Sequence, residues 1–222
     1  MKPSMRVVVS GTSSGIGLAI AERFLREGHE VAGFDILGPA IEHERYRHLQ
    51  IDVRDSEAIE AAGPLDPHIL ISAAGTLEEN EAIDVNLKGA ISFTSHFIES
   101  SSLRSVLFIA SASARNGSEF PLYVASKAGL VGYMKNLALS CAKRSITCNS
   151  ISPGGVVTAS NGHILNDPAL WQAVLDETLL GKWAEPDEIA DLAYFLTVQN
   201  RSITGEDILI DNGEMLKSNF IW

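Results

Sequence analysis

Residues 6–35 constrain the fold more than any other stretch. Arg6-Val7-Val8-Val9-Ser10 is a short β-branched run, and it meets the glycine-rich turn Gly11-Thr12-Ser13-Ser14-Gly15-Ile16-Gly17. A β-branched run bounded by glycines predicts a strand buried on both faces. Past the turn, Ile16, Ile20 and Phe24, with Leu18, Ala21 and Leu25, keep helical spacing as far as Glu27, and Gly28 supplies the stop. Glu30-Val31-Ala32-Gly33-Phe34-Asp35 then reads as a second strand. Strand, helix and strand in this order form a βαβ unit with a right-handed crossover, and such a unit commits the chain to a parallel sheet.

The alternation continues along the chain. Further strands are expected at 49–53, 68–72, 105–110, 146–151 and 207–210, and helices at 86–99, 123–142, 170–180 and 186–198. Pro186 ahead of Asp187 and Glu188 is a favourable helix start, with acids on the positive dipole end. The pattern predicts an α/β fold: a Rossmann-like, doubly wound parallel sheet of about seven strands with helices on both faces. No Pro/Gly/Ser-rich linker interrupts it, so residues 1–222 are expected to form a single domain. A chain of this size buries roughly 70% of its unfolded surface and needs no staples.

Composition narrows the function. The 17 Lys and Arg face 28 Asp and Glu, a formal charge of −11. That argues against nucleic acid, which demands a basic footprint, and against an anionic membrane surface. No apolar run approaches the ~18 residues of a membrane span. The N-terminal residues lead into only three valines, short of the ~7 of a signal-peptide core. Cys141 and Cys148 cannot build a disulfide framework and are expected as buried free thiols. A cytoplasmic protein is expected.

Two groups of residues carry chemistry. The first strand, Gly11, Gly15, Gly17 and the following helix form a phosphate cradle, because glycines admit the backbone to a pyrophosphate and the helix N-terminus supplies N–H groups. Asp35 ends the second strand, 18 residues after Gly17. A carboxylate there accepts from adenosine ribose hydroxyls and repels a 2′-phosphate. The turn residues Thr12, Ser13 and Ser14 are neutral, and Ile36-Leu37-Gly38 brings no cation. NAD is therefore expected over NADP. In the second group, Ser111 follows an apolar strand, and Tyr123 and Lys127 share one helix face at i and i+4. Tyrosine, with a pKa of ~10, is a poor base near neutrality, but a nearby ammonium favours its phenolate. The pair reads as a tuned general acid and base. The histidines lack metal-ligand spacing: His43 and His48 lie five apart and pair with no cysteine, so no metal is expected.

Taken together these segments resemble the short-chain dehydrogenase/reductase family. Residues 10–17 resemble its TGxxxGIG turn, with Ser10 in place of Thr, and Ser72-Ala73-Ala74-Gly75 stands where the family has NNAG. Val85-Asn86-Leu87-Lys88-Gly89 is similar to the helix bearing the family's Asn. Residues 123–129 carry YxASK, and Ser152-Pro153-Gly154 with Thr158 resembles PGxxxT. The resemblance implies an oxidoreductase that moves a hydride between NAD(H) and a small-molecule secondary alcohol or ketone. It implies that Tyr123 is the acid/base, that Ser111 holds the substrate oxygen, and that Lys127 lowers the Tyr123 pKa and holds the nicotinamide ribose. Asn86 would support a proton-relaying water. Ser13, Ser14 and Ile16 would complete the phosphate turn. Asp52 and Val53 would flank the adenine, Ala73, Ala74 and Gly75 the cofactor backbone, and Pro153, Gly154, Val156 and Thr158 the carboxamide.

Ser113 competes with Ser111 for the serine role. A substrate lid at about 159–182 is apolar, through Ile164, Leu165, Leu170 and Trp171 among others, which favours an uncharged substrate over a phosphorylated one. An NADP-linked 3-oxoacyl reductase and a catalytically silent dinucleotide sensor are the alternatives. The family's habit of self-association, and the apolar end Asn219-Phe220-Ile221-Trp222, suggest a homodimer or homotetramer. Segments 54–67 and 76–85 are shorter than the family's usual ones.

Overall fold

Valines 7, 8 and 9 send their side chains to opposite sides of a sheet: Val7 and Val9 join one apolar cluster and Val8 another. Successive strand residues point to opposite faces, so a run without polar breaks must be covered on both. Ile69 and Ile71 part from Leu70 in the same way, as do Leu107 and Ile109 from Val106 and Phe108. The computed structural model describes residues 3–216.

The strands are β1 (Arg6–Ser10), β2 (Glu30–Asp35), β3 (Tyr46–Gln50), β4 (Ile69–Ser72), β5 (Ser105–Ile109), β6 (Thr147–Pro153) and β7 (Asp207–Ile210). They form one parallel sheet in the order β3-β2-β1-β4-β5-β6-β7. The helices α1 (Gly15–Arg26) and α9 (Pro186–Tyr194) cover one face. On the other lie α4 (Ala90–Phe97) and α6 (Pro121–Cys141). Between them in sequence come α2 (Ser56–Ala61), α3 (Glu79–Ala82), α5 (Ser113–Asn116), α7 (Gly162–Leu165) and α8 (Pro168–Asp176). The chain turns left of β1 to reach β2 and right of it to reach β4. Ligands bind at such a switch point, outside the carboxyl ends of the strands. The turn after β1, Asp35, residues 73–75, Ser111 and Pro153 all lie on that edge.

Three elements differ from expectation. β3 spans Tyr46–Gln50 rather than 49–53. As an edge strand it is half exposed, so its residues lack an apolar signature. The apolar Ile51 and Val53 mark the chain leaving the sheet, with Val53 buried in the cluster beneath α4. The helix around Asn86 starts at Glu79, and α3, a π-helical turn over Ile83–Gly89 and α4 run on without a break. In the lid, α8 begins at Pro168, where Asp167 accepts from the N–H groups of Ala169 (3.0 Å) and Leu170 (3.1 Å). Cys141 and Cys148 are free and buried. Among the described residues no helix is long and apolar enough to cross a membrane. The apolar end at 219–222 lies outside the described residues.

Candidate active site

The turn after β1 is shaped by what glycine lacks. A Cβ on Gly17 would overlap the Gly11 carbonyl, and one on Gly11 (φ 80°) would lie 2.8 Å from the Ala74 nitrogen. Only bare backbones pass this closely, so helix and strand meet tightly and the turn presses on residues 73–75. Ser10 ties the two loops together: its Oγ accepts from the N–H groups of Ala73 and Ala74, each at 3.1 Å. Ser14 precedes α1 without a side-chain cap, so the first N–H groups of the helix remain for a ligand.

A cavity of about 910 Å³ runs along this edge. Gly11, Ser14, Gly15, Ile16 and Gly17 line its middle. At one end stand Asp35, Asp52 and Val53, and at the other Ser111, Tyr123, Lys127, Pro153, Gly154, Val156 and Thr158, with Ala73, Ala74 and Gly75 between. Two expected residues stand outside the lining. Ser13 turns its N–H onto Asp35 Oδ2 (2.9 Å). Asn86 is 1% exposed behind the wall, within the π-helical turn. Its Oδ1 accepts from Thr76 N–H (2.7 Å), and its Nδ2 donates to Thr76 O (3.0 Å) and Ser126 Oγ (3.1 Å). It therefore braces the loop after β4 against α6.

At the Asp35 end, each carboxylate oxygen already accepts one backbone N–H: Ser13 on Oδ2 and Leu37 on Oδ1, both at 2.9 Å. Asp52 is gripped by Arg54, with Nη2 to Oδ2 at 2.7 Å, which holds its carboxyl below the usual range. Arg54 also reaches Glu81 at 3.4 Å. Arg54, a cation of the lining, is thus engaged by two carboxylates.

At the Tyr123 end, Lys127 is 5% exposed, and its Nζ donates to the Ile109 carbonyl at 3.0 Å. Burial lowers its pKa to about 8, against an opposing pull from Glu119. Tyr123 is pushed up to about 12, by burial first and by the Glu119 charge as well, while a hydrogen bond from Ser111 draws it down. Loss of water is the largest influence on the phenol, whose ring centroid lies 5.7 Å from Lys127 Nζ. The resting site therefore holds a protonated tyrosine. Ser113 lies 2.9 Å from Ser111 Oγ and lines the same cavity, with Ser111 bonded to Tyr123 and Ser113 beside Glu119.

Among the lining residues that sequence reasoning missed here are Glu119, Glu214 and Trp183. Burial raises both glutamates, and each is near enough to other charge to feel it, Glu119 from Glu214 and Glu214 from Asp211 and Glu177. Glu119 stands four residues before the Tyr123 signature, and Glu214 opens the short helical turn after β7. Trp183 carried no such signal: it packs on Gly155, where a Cβ would overlap its indole.

The match to known proteins follows this geometry. The family model described as enoyl-(acyl carrier protein) reductase matches residues 70–214. The short chain dehydrogenase adrF of Penicillium roqueforti is 29% identical, over 93% of this chain and 95% of its own. The 3-oxoacyl-[acyl-carrier-protein] reductase MabA of Mycobacterium tuberculosis is 30% identical, over 95% of this chain and 92% of its own. The chain belongs to the short-chain dehydrogenase/reductase family. Two solved structures of similar shape carry nucleotides. A 4-hydroxyisoleucine dehydrogenase complexed with NADH has a TM-score of 0.85 at 30% identity, covering 97% of this chain and 100% of that one. A putative 2-deoxy-d-gluconate 3-dehydrogenase from Agrobacterium tumefaciens with bound NADP has a TM-score of 0.88 at 27% identity, covering 97% and 98%. The chain is thus a short-chain dehydrogenase/reductase oxidoreductase, and its glycine cradle, free helix N–H groups and elongated cavity fit a dinucleotide.

Proposed function

We propose that the protein is an NAD(H)-dependent dehydrogenase/reductase acting on an uncharged secondary alcohol or its ketone. The observation that carries the cofactor choice is Asp35, which lines the cavity at the end of β2 with no cation on the turn residues 12–14 or on residues 36–38. A 2′-phosphate there would face a fixed carboxylate, and like charges at that range are mutually destabilising. Gly11, Gly15 and Gly17 would hold the pyrophosphate, Asp35 the adenosine ribose, Lys127 the second ribose, and residues 153–158 the carboxamide.

Bound NADH would supply the hydride to the carbonyl carbon. Tyr123 then delivers its phenolic proton to the carbonyl oxygen, which Ser111 Oγ holds in place. Lys127 keeps a positive charge beside the phenolate left behind, and Asn86 keeps the adjoining loop in register. In the oxidative direction the same proton returns to Tyr123. Residues 159–182 form the lid. The substrate end of the cavity bears Glu119, Glu177 and Glu214, with Lys127 as its cation. This disfavours phosphorylated and other anionic substrates and suits hydroxyl-rich neutral ones. The protein acts in the cytoplasm as a homo-oligomer, and a monomer in light scattering at micromolar concentration would reject the assembly.

The second reading, an NADP-linked 3-oxoacyl reductase, draws on the MabA match. The two readings separate on the ratio of kcat/KM for NAD and NADP with a responsive secondary alcohol. A preference for NAD of roughly 30- to 150-fold is expected, the equivalent of about 2–3 kcal/mol. Asp35→Ala should narrow it. Equal use of both cofactors, or an unmoved ratio in Asp35→Ala, would reject the NAD reading. Tight NADH binding with no turnover on a broad panel would instead favour a sensor.

A further inference from the structure

A line of hydrogen bonds runs behind the loop that follows Asp35, and chemistry fixes the place of each hydrogen. His48 Nε2 lies 2.9 Å from the Leu37 carbonyl oxygen. A carbonyl only accepts, so Nε2 carries the hydrogen. The other ring nitrogen, Nδ1, lies 3.0 Å from the Tyr46 hydroxyl, which donates to it in the Nε2–H tautomer. Tyr46 Oη lies 2.8 Å from Thr12 Oγ1, and the Thr12 hydroxyl hydrogen is the one left to fill that contact. Thr12 is fully buried, and Gly33 makes room for the pair, since a Cβ there would overlap both oxygens. The line thus connects the phosphate turn to the loop over β3.

Two further side chains act on the same loop. Gln50 Nε2 donates to the Ile36 carbonyl (3.0 Å) and Ser13 Oγ to the Gly38 carbonyl (2.8 Å). Three successive carbonyls are held from outside the loop. Packing does little of this, because Ile36 is 62% and Leu37 57% exposed. Leu37 is the residue that matters for Asp35: its carbonyl is held by His48, while its own N–H donates to Asp35 Oδ1.

We propose that His48 is a positioning residue for cofactor specificity: by holding Leu37 it aims the Asp35 carboxylate at the adenosine ribose and keeps the loop from yielding to a 2′-phosphate. The assignment rests on the NAD(H) reading of Asp35. His48 stands outside the cavity lining and acts through the Leu37 peptide.

The test is a set of variants, His48→Ala, His48→Gln, Gln50→Ala and Asp35→Ala, titrated with NADH and with NADPH by tryptophan fluorescence, without need of a substrate. His48→Ala should weaken NADH binding roughly three- to tenfold, the range for one lost hydrogen bond. NADPH binding should weaken less or improve, so the preference narrows. His48→Gln, whose amide nitrogen can still donate to the Leu37 carbonyl, should restore the preference. Gln50→Ala should narrow it in the same sense by a smaller factor, and it serves if His48→Ala does not fold by circular dichroism. Equal weakening of both cofactors, or an unchanged preference in His48→Ala and Gln50→Ala while Asp35→Ala narrows it, overturns the role of His48 alone. A wild-type protein that prefers NADPH, or an Asp35→Ala variant that keeps the wild-type preference, overturns the Asp35 reading and the proposal with it.

Discussion

Lys127 holds its ammonium 5.7 Å from the centre of the Tyr123 ring and gives a hydrogen bond to the Ile109 carbonyl, almost wholly out of water. Burial dominates both groups, lowering the lysine to about 8 and raising the tyrosine to about 12. The unfolded chain keeps this lysine charged up to about 10.5. Between pH 8 and that value the unfolded state therefore binds the extra proton, and stability rises with pH, by a total on the order of 3 kcal/mol. Above pH 10 the tyrosine acts in the opposite sense, because the unfolded phenol ionises first. Lys127→Met should abolish the rise, as read from urea unfolding at pH 7.5, 8.5 and 9.5. A variant that keeps the wild-type slope would contradict the assignment.

Tyr123→Phe should bind NADH nearly as the wild type does and lose turnover by ~10²–10⁴-fold, the usual cost of a lost positioned acid. The ring still fills its place, but no proton is carried. Fluorescence titration together with steady-state rates checks this, and a variant retaining most of its rate would remove Tyr123 from the mechanism.

Glu119→Gln should move the alkaline limb of the kcat/KM profile to lower pH. The Glu119 charge helps Lys127 keep its proton, so its removal lets the ammonium discharge earlier. An alkaline limb that stays in place would mean that Lys127 does not govern it.

Gly33→Ala should cost roughly 1–3 kcal/mol, because the new methyl group meets the Tyr46 and Thr12 oxygens in a filled space. Chemical denaturation measures the loss, and an unchanged midpoint would show that this layer can give way.

What the sequence made legible follows burial. β1, β2 and β4–β6 sit inside the sheet, where apolar runs and glycine boundaries are written into the residues, and β7, at one edge, still carries the apolar run Ile208-Leu209-Ile210. β3 lies at the edge, where Tyr46, Arg47 and His48 are chosen for contacts with a neighbouring loop rather than for a core, so the apolar pattern pointed three residues too late. α2 buries only Ile59 and has no repeating stripe. The start of the Asn86 helix is a run of acids without apolar spacing. At the site, residues belonging to contiguous motifs could be named in advance. Glu119, Glu214 and Trp183 reach the cavity from separate loops through tertiary packing, which spacing along the chain does not encode. The burial that raises Tyr123 was likewise out of reach, since dryness depends on tertiary packing.

The π-helical turn at Ile83–Gly89 bears on how this chain can vary over evolution. A π turn takes one residue more than an α turn, and one residue is about 100° of helical rotation. The extra residue sets the phase between α3, which leads from the loop after β4, and α4, which packs beneath the sheet. Point substitutions leave that phase alone. Loss of a single residue between 83 and 89 would let the turn relax to an ordinary helix and swing Asn86 away from both Thr76 and Ser126. Drift in this region should therefore be visible as exchanged side chains and hardly ever as a changed length.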